Sequence, residues 1–165
     1  MTAPRNATLA GAGTTPPRVS FEFFPPKTPE MEEHLWAAIR RLAPLNPAFV
    51  SVTYGAGGTT RERTHRTVRR ILDETSLTPA AHLTCVGASR DEADGVIADY
   101  WRAGVRNIVA LRGDPPGGVG GAYEPRADGY ANATELTAAI RRGGDFNVMV
   151  GVYPEKHPES PSLDH

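Results

Sequence analysis

The strongest constraint on the fold is an alternation of short β-like runs with helix-length amphipathic segments, which begins at Arg18 and repeats about every thirty residues. Five candidate strands follow one another along the chain: Val19–Phe24, Phe49–Tyr54, Ala80–Val86, Asn107–Arg112 and Asn147–Tyr153. This spacing suits βα units in which right-handed crossovers join parallel strands. The sequence therefore predicts an α/β fold in the order β-α-β-α-β-α-β-α-β.

Local signals mark the ends of the four intervening helices. Thr28, followed by a proline, is a typical start for the first helix. Thr59 and Ser89 each precede a glutamate by three residues, which is the spacing of a capping box. Asn132 is expected to cap the fourth helix, and Gly104 to end the third in a left-handed conformation.

Two architectures fit this order: a doubly wound sheet and the first part of a TIM (βα)8 barrel, which needs about 250 residues when complete. A doubly wound sheet is apolar on both faces, whereas a barrel directs polar groups inward. Alternate positions place one partly polar set on a common face: Ser20, Glu22, Phe24, Ser51, Thr53, His82, Thr84, Ala110 and Arg112. The barrel is favoured, truncated to about five strands and four helices in residues 18–165, after a flexible leader in residues 1–17.

Charge and composition exclude several functions. Eighteen Lys and Arg against nineteen Asp and Glu give a formal net charge of −1, so nucleic-acid binding is not expected. The basic stretch Arg61, Arg63, Arg66, Arg69 and Arg70 is interpreted as a solvated helix face. Cys85 is the single cysteine, and no apolar run is long enough for a membrane span. We expect a cytoplasmic protein with no membrane partner.

Three groups of residues could carry chemistry. Glu22 lies among aromatic residues and is expected to be buried, so it should be paired with Ser51 or Arg112, or stay protonated as a proton donor. The run Arg112-Gly113-Asp114 falls where a strand ends, the usual place for reacting groups in α/β enzymes. His82 and His157 lack metal-ligand spacing, so no metal is expected. No glycine-rich turn matches G-x-G-x-x-G.

Five motifs together resemble the bacterial 5,10-methylenetetrahydrofolate reductase family, and they lie in order at successive strand ends: VSFEFFPPK from Val19, FVSVTYGA from Phe49, AHLTC from Ala81, IVALRGD from Ile108 and YPEKHPE from Tyr153. The resemblance runs from Arg18 to the last residue. It implies an FAD-containing TIM barrel, an oxidoreductase of one-carbon metabolism and methionine biosynthesis. NADH or NADPH would reduce the flavin, which then passes hydride to methylenetetrahydrofolate and gives 5-methyltetrahydrofolate.

The resemblance also implies roles for individual residues. Glu22 matches the general acid that protonates folate N10, and Asp114 the carboxylate beside flavin and pterin; both are expected to bind substrate. Thr53 is similar to the residue near the nicotinamide and flavin N5, and Asp114 is also expected to bind the cofactor. The FAD-contacting positions of the family match Tyr54, Ala56, His82, Arg112, Gly113, Ala131, Tyr153 and His157, and Tyr130 is expected to bind beside them.

Further ligand contacts of the family come from later strands, so the activity of these 165 residues alone stays open. The full-length form is expected to be a homo-oligomer. The alternative is a non-catalytic partial barrel that needs a partner to complete its sheet.

Overall fold

The computed structural model describes residues 17–54, 61–115, 123–156 and 162. In chain order its elements are β1 (Ser20–Phe23), α1 (Pro29–Leu42), a short 3-10 helix (Ala43–Leu45), β2 (Phe49–Val52), α2 (Arg61–Glu74), β3 (Pro79–Thr84), α3 (Arg90–Arg102), β4 (Asn107–Leu111), α4 (Ala133–Gly143) and β5 (Asn147–Val150). All five predicted strands are found, and each ends one to three residues earlier than predicted.

The order of the strands decides between the two architectures. The sheet runs β1-β2-β3-β4-β5, and every neighbouring pair is parallel. In a doubly wound sheet the order of the strands reverses at a switch point, so helices cover both faces. Right-handed crossovers between strands in sequential order instead place every helix on the same face. Within the described residues the fold is therefore an open α/β-barrel wall of five strands and four helices, which confirms the barrel prediction.

The predicted helix ends agree with the structure where it describes them. The Thr28 side chain accepts a hydrogen bond from the Met31 N–H, and Ser89 forms a complete capping box with Glu92. The Asn132 side chain accepts from the Glu135 N–H at the start of α4. Gly104 follows α3 with φ +86°. The predicted box at Thr59 lies outside the described residues.

The hydrophobic core lies between the helices and one face of the sheet, which we call the outer face. Its largest fully buried side chains include Tyr100, Phe146, Ile39, Ile71 and Leu83. Helix α2 packs on β2 and β3, and α4 packs on β4 and β5. The opposite, inner face carries Glu22, Ser51, His82 and Thr84.

The predicted faces of the fourth strand are wrong. Ala110 pairs with Leu83, and Val109 pairs with His82. Because side chains of paired residues point to the same face, Ala110 belongs to the core and Val109 to the inner face. Leu111, paired with Thr84, is also on the inner face, and Arg112 follows the end of the strand.

Candidate active site

A cavity of about 700 Å³ opens at the carboxyl ends of β3, β4 and β5. Five residues of the predicted site line it: Tyr54, Arg112, Gly113, Asp114 and Tyr153. The start of α4 closes one side through Asn132, Ala133 and Thr134. Since parallel strands end at a common edge, these side chains come together although they are far apart in sequence.

Arg112 is anchored through its backbone. Its carbonyl oxygen accepts a hydrogen bond of 2.9 Å from the Val86 N–H and one of 3.4 Å from the Cys85 thiol. Its guanidinium carbon lies 4.4 Å from the centre of the Tyr123 ring. Its Nε–H donates a hydrogen bond of 3.4 Å to the Gly113 carbonyl oxygen. These contacts hold the Arg112 guanidinium in one orientation at the edge of the cavity.

Tyr123 and Cys85, which both contact Arg112, have raised pKa values. Burial, followed by the proximity of the Cys85 thiol, raises the pKa of Tyr123 to about 12. Burial also raises the pKa of Cys85, in part offset by a hydrogen bond with Tyr123. The thiolate is the reactive form of cysteine, so this thiol is poorly suited to be a nucleophile.

Gly113 brings the turn after β4 close to β3. Its φ of +84° is in the left-handed region, and a Cβ atom there would lie 2.4 Å from Val86 Cγ1. Only glycine satisfies both conditions without strain. The position thus holds the backbone between Arg112 and Asp114 against the neighbouring strand, and the exposed Asp114 carboxylate stands at the cavity.

Thr84 lines the same cavity, and it was not among the predicted site residues. It is 4% exposed, and its hydroxyl oxygen has no hydrogen-bond partner among the described residues. Buried hydroxyls are nearly always partnered in proteins, so an orphaned one beside a cavity indicates a place for a ligand's polar atom. The signal was present in the sequence, because Thr84 shares the alternation that places His82 on the inner face.

Glu22 and His82 form a pair elsewhere on the inner face. The His82 Nε2 atom lies 3.4 Å from Glu22 Oε2, although β2 separates their strands. The Glu22 side chain is 53% exposed, so the expectation of a buried carboxylate is wrong. Its aromatic neighbours Phe21 and Phe23 point to the outer face, and they leave Glu22 open to water. Its partner is His82, and neither Ser51 nor Arg112 takes that place.

His82 is buried, and its surroundings shift its pKa. Burial lowers the pKa of His82 from its ordinary value of 6.5, and the nearby Glu22 carboxylate partly opposes that shift. Desolvation is the larger effect, so the imidazole is neutral at pH 7. A neutral imidazole can donate from one ring nitrogen and accept at the other.

The remaining predicted positions are dispersed. The Thr53 carbonyl accepts a 2.8 Å hydrogen bond from the Thr64 hydroxyl. Burial raises the pKa of the neighbouring Tyr54, which lines the cavity. The Tyr130 hydroxyl donates 2.7 Å to Asp94, outside the lining of the cavity. The Ala131 N–H donates to Glu135 at 3.1 Å, beside the lining residue Asn132.

Ala56 and His157 lie outside the described residues, and so do their predicted contacts. In the part of the chain that the structure describes, no group of three or more His, Cys, Asp or Glu side chains could hold a metal ion. Within the same ranges, no helix is both long and apolar enough to cross a bilayer.

The fold and the cavity define a class of protein: an α/β-barrel chain with a polar site at the carboxyl ends of its strands. The family model for methylenetetrahydrofolate reductase matches residues 9–165. The 5,10-methylenetetrahydrofolate reductases of Pectobacterium carotovorum subsp. carotovorum and Escherichia coli (strain K12) are each 49% identical over 144 residues, which cover 87% of this chain and 46% of each relative. The Zea mays protein "Methylenetetrahydrofolate reductase (NADH) 1" is 35% identical over 154 residues, covering 92% of this chain and 26% of that relative.

The chain belongs to the methylenetetrahydrofolate reductase family. It spans about half the length of the bacterial relatives it matches.

Proposed function

We propose that this chain contributes the first half of an FAD site at which NADH or NADPH reduces 5,10-methylenetetrahydrofolate to 5-methyltetrahydrofolate, in the cytoplasm and in the supply of methyl groups for methionine. The observation that carries the proposal is the cavity at the strand ends, where Arg112, Gly113 and Asp114 meet Tyr54 and Tyr153. Family membership gives that geometry its chemical meaning.

The residues present fit a flavin. The cavity of about 700 Å³ has the size of a cofactor site, and it combines a stacked guanidinium with an orphaned, buried hydroxyl on Thr84. Arg112, Tyr54, Thr84 and Tyr153 would hold the cofactor. FAD, when bound, supplies hydride transfer from the nicotinamide to the folate.

Glu22 is proposed as the proton donor to N10 of the folate. A carboxyl group on the inner face, half open to solvent, is accessible to a substrate, as a general acid must be. His82 acts as a positioning residue, because an Nε2–H at 3.4 Å would donate to the carboxylate that remains after the proton has left. Asp114 is proposed to accept hydrogen bonds from the pterin and to place negative charge near the flavin.

We also propose that the 165-residue chain alone retains FAD weakly or not at all. Among the described residues, β1 and β5 each pair with one neighbour only, so one side of each strand is unpaired. Tyr153, a predicted FAD contact, is 58% exposed. A ligand held on one side only loses much of the contact area that a closed pocket supplies.

The proposed function is tested in a chimera. The matched part of this chain replaces the corresponding 144 residues of the Escherichia coli relative. We expect a yellow protein that oxidises NADH only when methylenetetrahydrofolate is supplied. A chimera that is folded by circular dichroism but colourless and without this activity would overturn the proposal.

A matched pair of arginine variants tests whether the cofactor binds in the cavity. In the chimera, Arg112→Gln should weaken FAD binding about tenfold, since one charge-assisted contact is lost. Arg102→Gln removes an arginine exposed on α3 and should leave FAD affinity unchanged. Equal effects of the two substitutions would show that Arg112 does not contact the cofactor.

A further inference from the structure

A second cavity, of about 190 Å³, lies away from the proposed reductase site. It is enclosed by the turn after β1, the beginning of α1 and one face of α2. Among the described residues, the cationic side chains that line it are Lys27, Arg63, Arg66 and Arg70, and Glu32 is the one carboxylate. The sequence interpretation treated the basic stretch of α2 as one solvated face. In the structure, some of its arginines line this cavity and others do not.

The spacing of the arginines explains this division. Arg63, Arg66 and Arg70 are separated by three and four residues, so they share a helix face. Arg69 is outside the cavity lining and forms an exposed ion pair of 2.9 Å with Asp73. Arg69 is therefore paired with an acidic partner away from the cavity, whereas Arg63, Arg66 and Arg70 line the concave surface.

Arg70 forms a fixed wall of this cavity. Its guanidinium donates to Glu32 and Glu74, and its Cζ atom lies 4.1 Å from the centre of the Trp36 ring. Both carboxylates and the ring hold it in one direction, and the hydrogen bond with Glu74 raises the pKa of Arg70. The charge of Arg70 is already balanced, so binding of a further anion depends on the other cations.

Among the residues that the structure describes, those cations have no acidic partner. The ion pairs recorded among the described residues do not include Lys27, Arg63 or Arg66. The Arg63 Nε atom is buried, and within those residues it has no hydrogen-bond acceptor. Burying a charged donor without an acceptor costs free energy, and this cost falls when an anion supplies the acceptor.

We propose that this cavity binds a phosphate group, carried either by inorganic phosphate or by a small phosphomonoester. A carboxylate has two oxygens, which one guanidinium can occupy completely. A phosphate group offers three or four oxygens in a tetrahedral arrangement and suits two guanidinium groups and an ammonium group together. The site lies on the outer helices and does not depend on the proposed reductase activity.

Calorimetric titration of the 165-residue chain with inorganic phosphate, at low ionic strength, tests the proposal. We expect saturable binding in the millimolar range or tighter, weakened about tenfold by Arg63→Gln or Arg66→Gln. Arg69→Gln is the matched control, from the same helix and with the same loss of charge, and it should bind phosphate as the parent does. Arg63→Lys keeps the charge but loses the planar guanidinium that can donate two parallel hydrogen bonds, so its affinity for phosphate should be intermediate.

Two further probes establish the class of ligand. Glycerol 3-phosphate tests the monoester: tighter binding than that of inorganic phosphate identifies the monoester as the ligand, and weaker binding identifies the free ion. Succinate, a dicarboxylate, should bind more weakly than either. Absence of saturable phosphate binding, tighter binding of succinate, or equal weakening by Arg69→Gln would each overturn the proposal. Arg66 is exposed, so its variant remains informative if Arg63→Gln does not fold.

Discussion

The imidazole of His82 on β3 contacts the carboxylate of Glu22 on β1 across an intervening strand, with 3.4 Å between Nε2 and Oε2. Sixty residues separate the two in sequence, and the alternation along their strands predicts that they share one face of the sheet. The contact joins a buried base to an exposed acid on the inner face of the barrel wall.

Replacing Glu22 should change the titration of its partner. The Glu22 carboxylate raises the pKa of His82 against the larger effect of burial, so Glu22→Gln should lower that pKa further. Titration of the His82 Cε1–H resonance by NMR measures it. Glu33→Gln, an exposed substitution on α1, is the control. An unchanged or raised His82 pKa in Glu22→Gln would contradict the contact.

The stability of the fold should fall in mild acid. The pKa of His82 in the folded chain lies below its ordinary value of 6.5, so between these two values the unfolded chain binds more protons. The free energy of unfolding therefore decreases as the pH drops below about 6.5. Urea unfolding across this range should show a shallower decrease for His82→Gln. His34→Gln, an exposed substitution on α1, should reproduce the parent curve, and a His82→Gln curve with the parent's slope would refute the assignment.

Much of the fold followed from local chemistry. The caps at Thr28, Ser89 and Asn132 are set by side chains that bond their own backbone within three residues, so the sequence contains the whole interaction. The order of strands and helices followed from the period of the repeat. Such features need no knowledge of distant neighbours.

What could not be predicted depends on pairing between strands. The β4 segment Asn-Ile-Val-Ala-Leu is apolar on both faces, so alternation alone could not establish whether Val109 or Ala110 points inward; register with β3 decides it. Glu22 was expected to be buried because its neighbours are aromatic. Neighbours in a strand occupy the opposite face, and only the packing of the whole sheet determines the exposure of Glu22.

Gly113 should not tolerate a side chain. Gly113→Ala combines a left-handed φ with a Cβ atom 2.4 Å from Val86 Cγ1, and we expect a loss of about 1–3 kcal/mol in the free energy of unfolding. Gly95→Ala, in the exposed middle of α3 with nothing within 4 Å of its Cβ, should gain about 0.5–1 kcal/mol. Urea denaturation measures both, and a neutral Gly113→Ala would disprove the close approach.

Two buried threonines should respond differently to the loss of a hydroxyl. Thr84 Oγ1 has no partner among the described residues, so Thr84→Val should be neutral or stabilise the chain by up to about 1 kcal/mol. Thr64 Oγ1 donates to the Thr53 carbonyl at 2.8 Å, so Thr64→Val should destabilise it by about 1–2 kcal/mol. Thermal unfolding of the two variants compares them directly. A Thr84→Val variant as destabilised as Thr64→Val would show that the Thr84 hydroxyl is already satisfied.

The proton donor is the central claim, and rapid-reaction kinetics of the Escherichia coli chimera test it most directly. In Glu22→Gln, flavin reduction by NADH should proceed at nearly the parent rate, while reoxidation by methylenetetrahydrofolate should fall about 10²-fold or more, the usual contribution of a general acid. Glu33→Gln should leave both rates unchanged. If methylenetetrahydrofolate reoxidised the flavin of Glu22→Gln at the parent rate, the account would be contradicted.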